Sequence, residues 1–203
     1  MSDNLYLFAN NNGGQAEGNG SYRLYDMKIE GDSEGVDSGV DYVDYLIGDR
    51  ASYIDTGIIG NNKYKYELVF RDDTNTTYEN YFGAYNNSAK ANLSIQRRIN
   101  DLAFNVNYDK LYQWVEGATI GDKMTIYVDA NKIYKNGTLI QTMTEPTETI
   151  SYGVSTYLFD RNPHDVYSDM KCYSFKTWNE NNKLVQDLRP CLDAKGVPCM
   201  YDE

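Results

Sequence analysis

Several residue types are scarce in this chain. Of its 203 residues three are Cys, one is His, four are Pro and two are Trp. Three thiols make no disulfide framework, so free thiols are expected. Cys191 and Cys199 flank a turn at Ala194-Lys195-Gly196 and could lie near each other. A Ser-His-Asp or Cys-His centre would have to use His164, which sits in the loop-like Arg161-Asn162-Pro163-His164-Asp165 and reads as a surface residue. One His and scattered Cys exclude a zinc site of ordinary spacing. No Gly-rich phosphate cradle joins a strand to a helix. No apolar run approaches the ~20 residues that span a bilayer. The opening Met-Ser-Asp-Asn-Leu-Tyr has no basic region or long apolar stretch and is not read as a secretory signal. Positive charge is also short: the net charge is −11. Such a surface repels phosphate, which argues against nucleic acid and anionic membranes as partners.

Helical periodicity is missing too; no long segment places apolar residues at i, i+3, i+4 and i+7. What the chain has instead is Tyr, 20 copies against 6 Phe. Tyr suits half-buried pleated surfaces and binding faces. Short alternating runs recur between Asn, Gly and Asp: Tyr64–Phe70, Tyr78–Tyr85, Leu93–Gln96, Leu102–Asn107, Lys123–Val128, Thr138–Met143, Ser155–Phe159, Met170–Trp178 and Leu184–Leu188. Asn136-Gly137 is a strong hairpin-turn signal. About a dozen short strands at this spacing indicate an antiparallel sandwich or barrel.

One pattern occurs twice. Leu5-Tyr6-Leu7-Phe8, a polar loop and Arg23–Ile29 match Tyr157-Leu158-Phe159, a polar loop and Cys172–Lys176. Both read as strand, loop and strand, and a repeat bears on the fold. The expected organisation is an N-terminal strand pair over 1–30, an acidic Gly/Ser/Asp linker over 31–41, and a sandwich over 42–203.

Residues 42–203 resemble the concanavalin A-like, LamG-type sandwich domains of phage virion proteins and gut-bacterial surface proteins. Val43–Leu46 with Ala51–Ile58 resembles the family's opening strand, Tyr81–Ala84 its LFGA strand, Ile133–Leu139 its hairpin, and Leu184–Cys191 with Gly196–Asp202 its close. The resemblance implies an antiparallel jelly-roll sandwich, here with a two-strand N-terminal extension. Residues 5–29 match the domain's late strands without the strands that should precede them. They therefore complete a neighbouring domain, pair with another copy or virion subunit, or add to this sandwich's edge.

The fold also hosts glycoside hydrolases, which need two carboxylates about the scissile bond. The Glu-x-Asp-x-x-Glu-type strand of the related glucanases is missing. Glu67 stands alone in its strand, and Asp41, Asp44 and Asp49 read as solvated charge. No enzyme is expected, and no cofactor; calcium alone stays open. Its candidate ligands are Asp72, Asp73 and Asn75, with Asp160, Asn162 and Asp165 as a second cluster. Turn chemistry accounts for both clusters equally well. Glycan binding is the favoured function. Alternation turns Leu93, Ile95, Leu102, Phe104 and Val106 inward, leaving Gln96, Arg98, Asn105 and Asn107 outward. Tyr108, Tyr112 and Trp114 follow closely and could supply a platform for sugar rings. The expectation is a non-enzymatic virion appendage, a fibre or decoration domain, that binds bacterial surface polysaccharide. A purely structural assembly protein is the alternative, and a cell-surface adhesin or a hydrolase stands behind it. Without a secretory signal the chain is expected on a virion released by lysis, otherwise outside the cell or on its surface.

Overall fold

The computed structural model describes residues 5–10, 41–74, 78–86, 91–98, 101–106, 113–115, 120–143, 148–162 and 167–203. They hold sixteen strands and no helix. In chain order these are β1 (Leu5–Asn10), β2 (Asp41–Tyr42), β3 (Leu46–Ile47), β4 (Ser52–Asp55), β5 (Lys65–Arg71), β6 (Tyr78–Asn86), β7 (Ala91–Arg98) and β8 (Asp101–Val106). There follow β9 (Gln113–Val115), β10 (Lys123–Asp129), β11 (Lys132–Lys135), β12 (Thr138–Thr142), β13 (Tyr157–Leu158), β14 (Lys171–Trp178), β15 (Leu184–Leu192) and β16 (Pro198–Asp202).

The strands form two antiparallel layers. The first runs β12-β11-β10-β5-β14-β15-β16, and the second runs β4-β13-β6-β7-β8-β9. β1 belongs to both. Leu5 to Leu7 pair with Tyr201 to Cys199 of β16, while Phe8 to Asn10 pair with Ile54 to Ser52 of β4. A strand that passes between sheets makes a corner of a sandwich. The described part of the N-terminal segment is thus hydrogen-bonded on both sides within its own chain. Its expected mate, Arg23–Ile29, and the linker residues 31–40 lie outside the described residues.

Strict alternation builds the core. Tyr66, Leu68 and Phe70 of β5 and Met124, Ile126 and Val128 of β10 are buried, with half-buried or exposed residues between them. From the second layer come Ile54, Phe82, Ala84, Leu93, Ile95 and Leu158. Aromatic rings join the layers: Phe82 lies 5.8 Å from Tyr66 and 5.2 Å from Phe175, and Phe70 lies 4.5 Å from Tyr81. Such pairs contribute about 0.5–1.5 kcal/mol each beyond area burial. Gly60 makes room for one of them, because a Cβ there would collide with the Tyr66 hydroxyl. Between β11 and β12, Asn136 and Gly137 have φ of 49° and 79°. Two consecutive positive φ values are what a tight type I′ hairpin needs, as the Asn-Gly pair predicts.

Candidate functional site

A cleft opens on the outer side of the first layer where two neighbouring strands part. β14 pairs with β15 only over Phe175–Trp178, and its register against β5 shifts between Cys172 and Ser174. β15 meanwhile runs on to Pro190, which has no N–H to give a ladder. Residues 41–47 enter the gap. Tyr42 lies opposite Cys191, Leu46 lies opposite Cys172, and the Val43 amide donates to the Pro190 carbonyl at 3.1 Å. The arch over Val43–Tyr45 closes a cleft of about 750 Å³ floored by Val69 and Ser174.

Three tyrosines wall this cleft. Tyr45 meets Tyr173 edge-on at 5.5 Å, and Tyr42, 38% exposed, meets Tyr201 edge-on at 6.1 Å. The Lys123 ammonium lies 3.9 Å from the Tyr173 ring centre and Lys171 lies 5.0 Å from that of Tyr45, both within cation–π range. Arg189 reaches across the cleft's lip, with Nε 3.4 Å from both Asp187 and Glu203. Burial, joined by the Glu203 charge, raises the Tyr42 hydroxyl pKa. Burial raises that of Tyr173 as well, against the charges of Arg71 and Lys171. Both phenols therefore stay protonated at neutral pH, able to donate as well as accept. Within the cleft Lys123 and Arg189 balance Asp44 and Glu203. Rings, donors and acceptors with charges of both signs suit a polyhydroxylated ligand. Farther along the same face Tyr127 contacts Tyr134 at 5.8 Å and Trp178 at 5.9 Å.

Of the residues expected to bind glycan, Gln96, Arg98, Asn105 and Trp114 lie on strands of the other layer. Gln96 is opposite Ala103, and Ala103 is opposite Trp114; Ser94 is opposite Asn105, and Arg98 is opposite Asp101. Opposed residues share a face, as do residues two apart on a strand. The register therefore brings the backbone positions of Gln96, Arg98, Asn105 and Trp114 side by side across neighbouring strands. Gln96 departs from expectation in one respect: it is 5% exposed. Its Nε2 donates to Ser94 Oγ at 2.6 Å, and its Oε1 accepts from Arg98 Nε at 3.2 Å. Its amide is thus held within the sheet surface rather than offered to a ligand. Arg98 also sits 5.9 Å from the exposed Tyr78 ring. Tyr108, Tyr112, Asn107 and His164 lie outside the described residues.

No family model and no curated protein matches the chain. Solved structures do. Galectin LEC-6 of Caenorhabditis elegans is 14% identical over 66% of this chain and 95% of its own, with a TM-score of 0.44. The mouse laminin α1 domains LG4-5 are 11% identical over 80% of this chain and 47% of theirs, at 0.46. The enzymatically active domain of tailspike protein 2 from bacteriophage CBA120 is 10% identical over 68% of this chain and 25% of its own, at 0.48. The chain itself folds as an all-β, two-layer antiparallel sandwich. Each likeness is one of architecture.

The sandwich also carries a buried knot of charge. Asp72 and Asp73, adjacent in sequence, part company at the end of β5. The Asp73 carboxylate pairs with Arg71 and lies 2.9 Å from Lys171 Nζ. The Arg71 hydrogen bond, against partial burial, lowers its pKa. Asp72 turns inward, accepting from the Tyr81 hydroxyl and from Arg97 Nη1 at 2.7 Å. Arg97 is 1% exposed and donates also to the Thr74 carbonyl at 2.8 Å. Burial opposes the Arg97 charge, but the Asp72 hydrogen bond and charge outweigh it, so its pKa is raised. Asp72, Glu79 and Asp169 bring carboxylate oxygens within 4.8 Å of one another. Arg50 lies 3.8 Å from Glu79 and 3.5 Å from Asp169, and Ser168 Oγ donates to Glu79 at 3.1 Å.

Of the expected calcium set, Asp72 and Asp73 take different partners, and Asn75 lies outside the described residues. Among the described residues, Asp72, Glu79 and Asp169 are carboxylates grouped closely enough to hold a cation, and two guanidinium groups already stand against them. In the second cluster Asp160 is buried and accepts from the Arg161 amide at 2.7 Å. Asn162 donates to the Ser155 carbonyl at 3.1 Å, and Asp165 is outside the described residues. The knot had one local signal. Arg97 shares the parity of Leu93 and Ile95, and a charge on a core-facing position demands a buried counter-charge.

Proposed function

We propose that this sandwich is a non-enzymatic carbohydrate-binding domain whose site is the tyrosine-walled cleft. The observation that carries the reading is the meeting of Tyr42, Tyr45 and Tyr173 with Lys123, Arg189 and Glu203 around one open, charge-balanced cleft. Ring faces receive the C–H faces of a sugar, and the flanking groups receive its hydroxyls. A neutral oligosaccharide fits better than a polyanion, which the net charge of −11 would repel. The carboxylates that cluster among the described residues, Asp72, Glu79 and Asp169, are held by Arg97, Arg50, Thr74 and Ser168, which supports a non-catalytic role. The motif resemblance to phage virion proteins supports placement on a virion appendage, with bacterial surface polysaccharide as the ligand. Binding is expected to be independent of calcium.

A second reading places the ligand on the outer face of the second layer. It is favoured by the register that aligns Gln96, Arg98, Asn105 and Trp114. One experiment separates the two: a screen of bacterial-type glycans, with and without calcium, using the parent chain, Tyr173→Ala and Trp114→Ala. Loss of binding in Tyr173→Ala alone supports the cleft, and loss in Trp114→Ala alone moves the site to the other layer. A requirement for calcium would overturn the metal-free reading. No binding by the parent chain would sink the lectin function and leave structural assembly of a virion as the better account.

A further inference from the structure

The last two strands carry a chemical feature that sugar binding does not use. Cys191 of β15 and Cys199 of β16 are directly opposed in the antiparallel ladder. Both are fully buried, and their sulfurs stand 2.9 Å apart. A disulfide bond is about 2.05 Å long, with Cβ atoms about 3.8 Å apart. The sulfurs therefore have less than about 1 Å to close. The remaining thiol behaves differently. Cys172 lies buried on β14, its sulfur 4.0 Å from the Ser174 carbonyl, and burial pushes its pKa up to about 12.

We propose that Cys191 and Cys199 form a disulfide under oxidising conditions and that this bond fastens the closing strand of the sandwich. The co-reactant is a small-molecule disulfide such as oxidised glutathione. The thiolate of one cysteine attacks its S–S bond and releases one small thiol, leaving a mixed disulfide. The second cysteine attacks the protein sulfur of that mixed disulfide, forms the Cys191–Cys199 bond and releases the second small thiol. Two protein thiols are oxidised, the small disulfide is reduced to two thiols, and the two protons pass to the released sulfurs. The Cys191 hydrogen bond and burial raise the Cys199 pKa, so exchange through the folded state is slow at neutral pH and fast during folding.

The staple has a structural consequence at the cleft. β16 brings Tyr201 against Tyr42 and leads to Glu203, which pairs with Arg189. Tyr42 is itself directly opposite Cys191 on the other side of β15. β1 pairs through Leu7 with Cys199, so the same bond anchors the corner between the layers.

The test is to refold the full chain in a glutathione redox buffer, in parallel with a reduced control. Thiols are then counted under denaturing conditions, peptides are mapped by mass without reduction, and both samples are melted. One free thiol of three, a linked Cys191–Cys199 peptide pair, and a Tm about 5 °C higher that reverts on reduction are expected. Cys172→Ala should keep the linkage and the shift, while Cys199→Ala should lose both. Three thiols persisting after oxidative refolding, a pairing that includes Cys172, or a stable glutathione adduct would overturn the proposal. Because no sugar enters this experiment, its failure is distinguishable from failure of the cleft reading.

Discussion

Replacing Arg97 by Met tests whether the charge knot is as buried as the geometry indicates. Arg97 is 1% exposed and Asp72 2%, with 2.7 Å between the charged atoms. Met fills much of the same space but removes the cation and its hydrogen bonds to Asp72 and to the Thr74 carbonyl. Arg50, whose side chain is 39% exposed, still stands 3.5–3.8 Å from Glu79 and Asp169 in the cluster of three carboxylates. Leaving a buried charge unpaired costs about 3–5 kcal/mol. For a chain of this length that corresponds to a fall in Tm of about 10 °C. The assay is urea denaturation followed by circular dichroism, with the m-value confirming that the transition keeps its size. The double variant Arg97→Met with Asp72→Leu should recover part of the loss, because no uncompensated Asp72 charge remains. Recovery is partial, since the Tyr81 hydroxyl loses its acceptor. A single-variant loss below about 1 kcal/mol, the range of an exposed pair, would refute the reasoning.

Two further outcomes are expected. Asp73 has its folded-state pKa lowered below the ordinary 3.8 by Arg71 and Lys171. Its contribution to stability is therefore present above that value and lost as pH falls through the lowered one, so Asp73→Asn should flatten the Tm–pH profile below about pH 4. In Gly60→Ala the new methyl group meets the Tyr66 hydroxyl in a filled core. Overpacking of this kind should lower stability by about 1–3 kcal/mol in denaturant titration; an unchanged midpoint would show that Tyr66 can move aside.

Much of the fold was legible because its signals are local. The run Tyr64–Phe70 has the period of a half-buried strand, and the structure forms β5 there with alternate residues inside. Asn136-Gly137 announces a hairpin because few other pairs take two positive φ values. The site was less legible. Alternation alone could not show that Gln96 is buried with its amide occupied by Ser94 and Arg98. Asp72, Asp73 and Asn75 look like one cluster on the chain, yet consecutive residues leaving a strand turn to opposite sides. The true neighbour of Asp72 and Glu79 is Asp169, far down the chain.

The sequence by itself determined that this protein is built of strands, roughly where the longer ones lie, and which residues of β5 and β10 face inward, since hydrophobic period and turn chemistry act over a few residues. Only the tertiary structure decided that β14 and β15 separate, that residues 41–47 fill the gap and leave a tyrosine-walled cleft, and that β1 joins the two layers. Those features depend on which distant strands pair and in what register. That choice is made by burying the whole core at once rather than by any local pattern.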